Sequence, residues 1–224
     1  MNSDEREHRA TDALNDPAGE LGEQAMAILT DMEVLAHIPV LKQGVAAARI
    51  IDSIRGQALL KKLDAFVRGL DSVTRAQRVD MISRLSEDRE YSETVGEHLI
   101  EYLDRIDGRR KALMSAAVFA AFAQREIDRP MLYSLNHAVE IVMLNYLRSA
   151  RNLVEEGPFF SAEGYLKEDP TKNRAYRPRI ASLQALAAAG LVYSQGVFDG
   201  TRYDLTDVGR VFIERLKLDL VAYK

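Results

Sequence analysis

The stretch "GLVYSQGVFDGTRYDLTDVGR", Gly190–Arg210, decides how the C-terminal part of the chain is read. "LVYSQ" and "TRYDL" alternate in the manner of half-buried strands, and "GVFDG" between them suits a hairpin loop. Upstream, Ile180, Leu183, Leu186 and Ala187 make a helical stripe over Arg179–Ala189. Gly190 follows its last turn, where a left-handed backbone is often needed. Downstream, Thr206 can cap a final helix whose Val208, Phe212, Leu216 and Leu220 recur every four residues and would face a core. Gly209, in the first turn, would allow close approach of a neighbouring element.

Leu183, Leu186, Gly190, Leu191, Val192, Tyr203, Leu205, Thr206 and Gly209 together resemble the winged-helix domains of many bacterial regulators. In those, a helix end of the form "L..L...GLV" leads into the wing, and "Y.LT..G" closes it. The likeness covers a fifth of the chain. It implies a fold more than a function, since winged helices also serve as protein-docking modules.

The apolar spacing is helical almost everywhere before residue 156. Residues 1–19 are expected to be a flexible tail, 20–156 a helical bundle and 157–224 the winged-helix domain. A helix is expected over Leu21–Ala36, ended by Pro39, then a long one over Leu41–Gly69 with a break near Ser53–Gly56. Thr74 and Gln77 form a capping box for a helix to Leu85. Further helices are expected over Asp88–Ile106, Gly108–Glu126 and, from Pro130, to Glu156. The Gly108 helix has hardly any polar face, which places it among other helices. The last, rich in Leu, Val and Ile, could join the two parts or form a dimer seam. "EEGPFFSAEGYLKEDPTKN", Glu155–Asn173, is the boundary, although Phe159 and Phe160 would want cover. The fold class is therefore mainly α, a multi-helix bundle followed by a small winged helix with a two-stranded hairpin.

Composition narrows the function. The 224 residues carry 30 Lys/Arg and 34 Asp/Glu, a net charge of −4. Residues 1–156 hold 20 bases against 26 acids, and residues 157–224 hold 10 against 8. That balance lacks the strongly basic footprint of a dedicated nucleic-acid binder. There is no cysteine, which excludes disulfides, thiolate zinc sites and a cysteine nucleophile and suits a cytoplasmic location. The first residues are polar and acidic, unlike a secretory signal. The longest apolar run, Leu113–Ala123, is shorter than the ~20 residues that span a bilayer.

The chemistry-bearing residues are few. Lys172, Arg174, Arg177 and Arg179, with Tyr176 among them, form a basic cluster ahead of the wing. Arg202 lies near its tip, flanked by Asp199 and Asp204. These six could meet phosphate, the O6/N7 edge of guanine, or a partner protein. Alternatively, the arginines pair with acidic surface of the bundle or are simply solvated. Glu93, Glu97, Glu101 and Asp104 share a helix face that reads as solvated, not as a metal site. His8, His37, His98 and His137 are scattered, and no catalytic motif, cofactor loop or metal set is found. A basic amphipathic stretch over Pro39–Leu63 could lie on a membrane, but bundle packing is the expected role.

The segments "HIPVLKQGVAAARIIDSIRGQALLKKLDAFVRGL" and "EDREYSETVGEHLIEYLDRID" resemble poorly characterised bacterial helical proteins that end in a similar winged helix, some of them linked to abortive infection or phage defence. That resemblance carries no catalytic residues. The expectation is a non-enzymatic cytoplasmic regulatory or interaction protein, with a protein partner or itself as a homodimer. The alternatives are a DNA-binding regulator and a membrane-active defence effector.

Overall fold

A computed structural model describes residues 54–86, 101–162, 170–197 and 200–222, with backbone alone for 54–57, 78, 82, 85, 86, 162 and 170–178. The expected tail, the helix over Leu21–Ala36, the Pro39 break and most of the Asp88 helix lie outside the described residues. The described chain is mainly helical, with a small antiparallel sheet near its end. It divides into two compact units, Met1–Arg109 and Arg110–Lys224.

In the first unit, α1 spans Ile54–Gly69 and α2 spans Arg75–Ser86. Leu60, Leu63, Phe66, Val67 and Leu70 recur at helical spacing and are all buried. The turn between the helices is closed by Leu70 N–H to Val67 O, 3.0 Å, and Val73 N–H to Leu70 O, 2.9 Å. The capping box forms as expected: Thr74 N–H donates to Gln77 Oε1 at 2.9 Å and Gln77 N–H to Thr74 Oγ1 at 3.3 Å. Residues 101–105 are also helical. Lys62 is buried and its ammonium donates to the carbonyls of Asp104 (2.8 Å) and Ile106 (3.2 Å). A lysine thus closes a helix C-terminus, where carbonyls lack partners and the helix dipole favours a cation.

The second unit repeats that device. Helix α3, Gly108–Ala123, is buried on nearly every side, and its Lys111 ammonium donates to Glu140 O at 2.6 Å, at the end of α4. Ser115 Oγ donates to Asn136 Oδ1 of α4 at 2.9 Å. Helix α3 stops three residues earlier than expected. Arg125 takes a left-handed backbone (φ 61°), and Arg125 N–H and Glu126 N–H bond back to Phe122 O and Ala121 O. Such a 5→2 and 6→1 pair terminates a helix. Asp128 caps α4, Arg129–Ile141, by accepting from Met131 N–H, and Pro130 sits in the first turn.

The expected helix from Pro130 to Glu156 is broken. Val142 and Met143 are extended (ψ 134° and 117°), a short 3₁₀ turn covers Leu144–Tyr146, and α5 spans Leu147–Glu156. A straight helix of that length would run to ~40 Å. The bend lets Leu132, Leu135 and Val139 of α4 and Leu147, Ala150 and Leu153 of α5 all be buried.

Strand β1, Phe159–Ala162, then leads to α6, Pro170–Ala188, followed by β2, Val192–Val197, and β3, Gly200–Leu205. The expected two-stranded hairpin is one part of a three-stranded sheet in the order β1-β3-β2. Helix α6 begins nine residues before Arg179, where the apolar stripe starts in the sequence. Pro178 offers no N–H and disfavours helix just before it, yet the helix runs through it.

At the end of α6, Gly190 is left-handed (φ 72°), with its N–H bonded to Ala187 O and that of Leu191 to Leu186 O. Thr206 Oγ1 donates to Gly190 O at 2.6 Å and accepts from Gly209 N–H at 2.9 Å, and Thr206 N–H donates to Leu191 O at 3.1 Å. Helix α7, Asp207–Arg210, is thereby clasped against the start of β2.

The stripe expected beyond it is shifted. A π-helical turn at Val211–Arg215 and a left-handed Lys217 (φ 49°) precede α8, Leu218–Val221. Each residue added to a helical turn rotates the downstream side chains about the axis. The buried set is therefore Gly209, Phe212, Ile213, Leu218, Asp219 and Ala222, while Leu220 is exposed. Asp219 is bound by the Arg151 guanidinium, with Nε to Oδ2 at 2.6 Å, which ties α8 to α5.

Candidate interaction face of the sheet

Pairing register fixes the two faces of the sheet. Phe159 lies opposite Tyr203, and Tyr203 opposite Ser194. Phe160 lies opposite Arg202, and Arg202 opposite Gln195. Because side chains alternate, Tyr203, Leu205 and Val192 share one face, and Phe160, Arg202, Gln195, Tyr193, Asp204 and Val197 share the other. The first face is the core side: Val192, Tyr203 and Leu205 are buried. On the other, Phe160 is 55 % exposed, Val197 41 % and Tyr193 40 %.

The charges on this outer face are matched locally. Asp204 is buried and accepts from its neighbour Leu205 N–H at 2.8 Å, from Arg202 Nη2 at 2.9 Å and from Tyr193 Oη at 3.3 Å. Arg210 Nη2 stands 3.4 Å from Oδ1, the oxygen that also accepts from Leu205 N–H. Burial pushes the Asp204 carboxyl up, but the Leu205 amide, the Arg202 and Tyr193 hydrogen bonds and the Arg210 charge outweigh it. The group is held below the usual carboxylate range. Arg202 also lies over the Phe160 ring, 5.8 Å from its centroid.

Arg179 is engaged in the same way on α6. Its Nη2 donates to Glu156 Oε2 at 2.8 Å, and its guanidinium lies 4.4 Å from the Phe159 ring centroid. The Nε atoms of Arg179 and Arg202 are buried without a partner among the described residues. Of the six residues singled out from sequence, these two are therefore held by carboxylates and aromatic rings of the same unit. Lys172, Arg174, Tyr176 and Arg177 lie on the helical backbone of α6, and their side chains are outside the described residues. Asp199, expected beside Arg202, is also outside them.

Comparison with protein-family models, with curated proteins and with solved structures gives no match.

Sequence reasoning named Arg179, Arg202 and Asp204 but missed Glu156 and Phe159 as partners of Arg179, Phe160 as the partner of Arg202, and Tyr193 and Arg210 as partners of Asp204. The i, i+2 spacing of Arg202 and Asp204 on one strand was the available signal. Arg179 and Glu156 are 23 residues apart and meet only through the fold. Among the described residues, no three or more potential metal ligands cluster, and no helix is long and apolar enough to cross a membrane.

Proposed function

We propose that this chain is a non-enzymatic regulatory protein, and that its C-terminal unit is a winged-helix module used to bind another protein. A helix, a left-handed glycine stop, a hairpin and a Thr-capped helix succeed one another in the order that module requires. The observation that carries the partner is the outer sheet face. It exposes Phe160, Tyr193 and Val197 around an arginine whose charge Asp204 already meets. An aromatic and aliphatic surface with its charge internally matched gains by covering with protein and little by contact with phosphate. The likeness of the helical part to proteins of abortive-infection loci makes phage defence the setting proposed for that partnership.

A photo-reactive amino acid placed at Phe160 or Tyr193 in cells tests the reading. It should cross-link one protein, or a second copy of the chain, and the same probe at exposed Lys217 should not. DNA binding is the competing outcome, because the helix before the wing carries Lys172, Arg174 and Arg177. Tight, sequence-selective binding that falls steeply with salt and is lost in Arg174→Ala/Arg177→Ala would replace the proposal.

A further inference from the structure

The first unit holds a cavity of about 410 Å³ between α1 and the segment that ends the 101–105 helix. Lys61, Lys62, Arg105 and Arg109 line it, with Asp104 and Asp107. Residues 1–109 carry 14 Lys/Arg against 21 Asp/Glu. The lining, with four bases against two acids, thus has the opposite sign to the unit that contains it. A concave wall with an excess of positive charge draws a counter-ion.

We propose that this cavity binds a small phosphate-bearing molecule, such as a nucleotide or sugar phosphate, by its anionic group. The positive wall is built rather than loose. The Lys62 ammonium is fixed in it by the Asp104 and Ile106 carbonyls, so its position does not depend on a free stem. Arg109 Nη2 stands 3.7 Å from Asp64 Oδ2, while Arg68 Nε holds Asp64 Oδ1 at 2.7 Å. Asp64 is thus claimed mainly by Arg68, and the Arg109 guanidinium, 62 % exposed, can turn to a ligand at little cost. Lys61 is exposed one residue from the fixed ammonium. The volume lies in the range of small-molecule sites. This inference does not rest on the sheet face and would add ligand sensing to either reading of the second unit.

The test is titration of the full-length protein with AMP and with inorganic pyrophosphate, followed by calorimetry and by amide chemical shifts. Saturable binding is expected, with the two probes competing. Shifts should centre on residues 58–62 and 104–109. Affinity should fall at least tenfold in Lys61→Glu and in Arg109→Gln, with melting temperatures within about 2 °C of the parent. Absence of binding to the parent protein overturns the proposal. So does binding that both folded variants retain, or a shift map centred on 172–179. The map uses the unaltered protein, so it decides the matter even if a variant fails to fold.

Discussion

Gly209→Ala is the sharpest test of how the second unit is closed. An added Cβ would overlap the backbone carbonyl oxygen of Leu191, and would lie 2.9 Å from that carbonyl carbon and 3.2 Å from Leu205 Cδ2. Backbone cannot swing aside as a side-chain tip can, so α7 must lift away from the start of β2. Lifting strains the Thr206 N–H bond to Leu191 O, the Thr206 Oγ1 bond to Gly190 O and the Gly209 N–H bond to Thr206 Oγ1. Each is worth about 1 kcal/mol net. Alanine is a better helix former than glycine by about 1 kcal/mol, which opposes the loss. The expected balance is destabilisation by about 2 kcal/mol, or a fall of about 4–8 °C in melting temperature. Urea unfolding by circular dichroism gives the first figure. Hydrogen exchange should locate it, with faster exchange in 190–210 and little change in 58–70. A variant within about 0.5 kcal/mol of the parent, or more stable, would mean that helix propensity wins and the clasp is looser than its distances state.

Three smaller changes probe the same unit. Gly190→Ala meets no atom within 4 Å, so its cost is the left-handed backbone alone, about 1 kcal/mol; a loss in urea unfolding as large as that of Gly209→Ala would contradict the distinction. Lys217→Gly relieves a left-handed lysine that is exposed, and should raise stability by up to about 1 kcal/mol in the same assay. Asp204 has a folded pKa below its ordinary value, so its contribution is present above about pH 4 and is lost as pH falls through the folded value. Urea midpoints at pH 7 and pH 3 should therefore differ less in Asp204→Asn than in the parent, with the variant about 1–3 kcal/mol less stable at pH 7.

Much of the C-terminal fold was legible because its signals are local. The Gly190 stop and the Thr206 cap each depend on residues within a few positions, as does the Thr74–Gln77 box of the first unit, whereas the Gly209 approach to Leu191 spans the hairpin and was marked only by the glycine itself. Strand β1 was not legible, for a physical reason. Its alternation is between Phe159, partly covered and near Tyr203, and Phe160, exposed beside Arg202. Two aromatic residues in a row show no apolar–polar alternation, and four residues between a Gly-Pro pair and a charged run read as a boundary. The π turn after Arg210 was equally hidden, because one added backbone residue leaves no mark in side-chain spacing until the burial of Leu218 in place of Leu220 is seen.

The same missed strand decides what the arginines do. Without β1, Arg179 and Arg202 are bare cations near a hairpin, and phosphate is a natural partner for them. With β1 on the edge of β3, each acquires an aromatic ring, and Glu156 and Asp204 supply the carboxylates. A phosphate would then have to displace an existing charge-assisted hydrogen bond before it gained one of its own, and exchanging one such bond for another leaves little net gain. Of the six residues singled out from sequence, Lys172, Arg174 and Arg177 on α6 are therefore the ones left to carry any affinity for nucleic acid. Arg202→Ala should leave DNA binding unchanged while weakening capture of a protein at the outer sheet face. If Arg202→Ala instead removed DNA binding without loss of folding, the pairing with Asp204 would be an arrangement that DNA readily breaks, and the sheet face would lose its claim as a protein-binding surface.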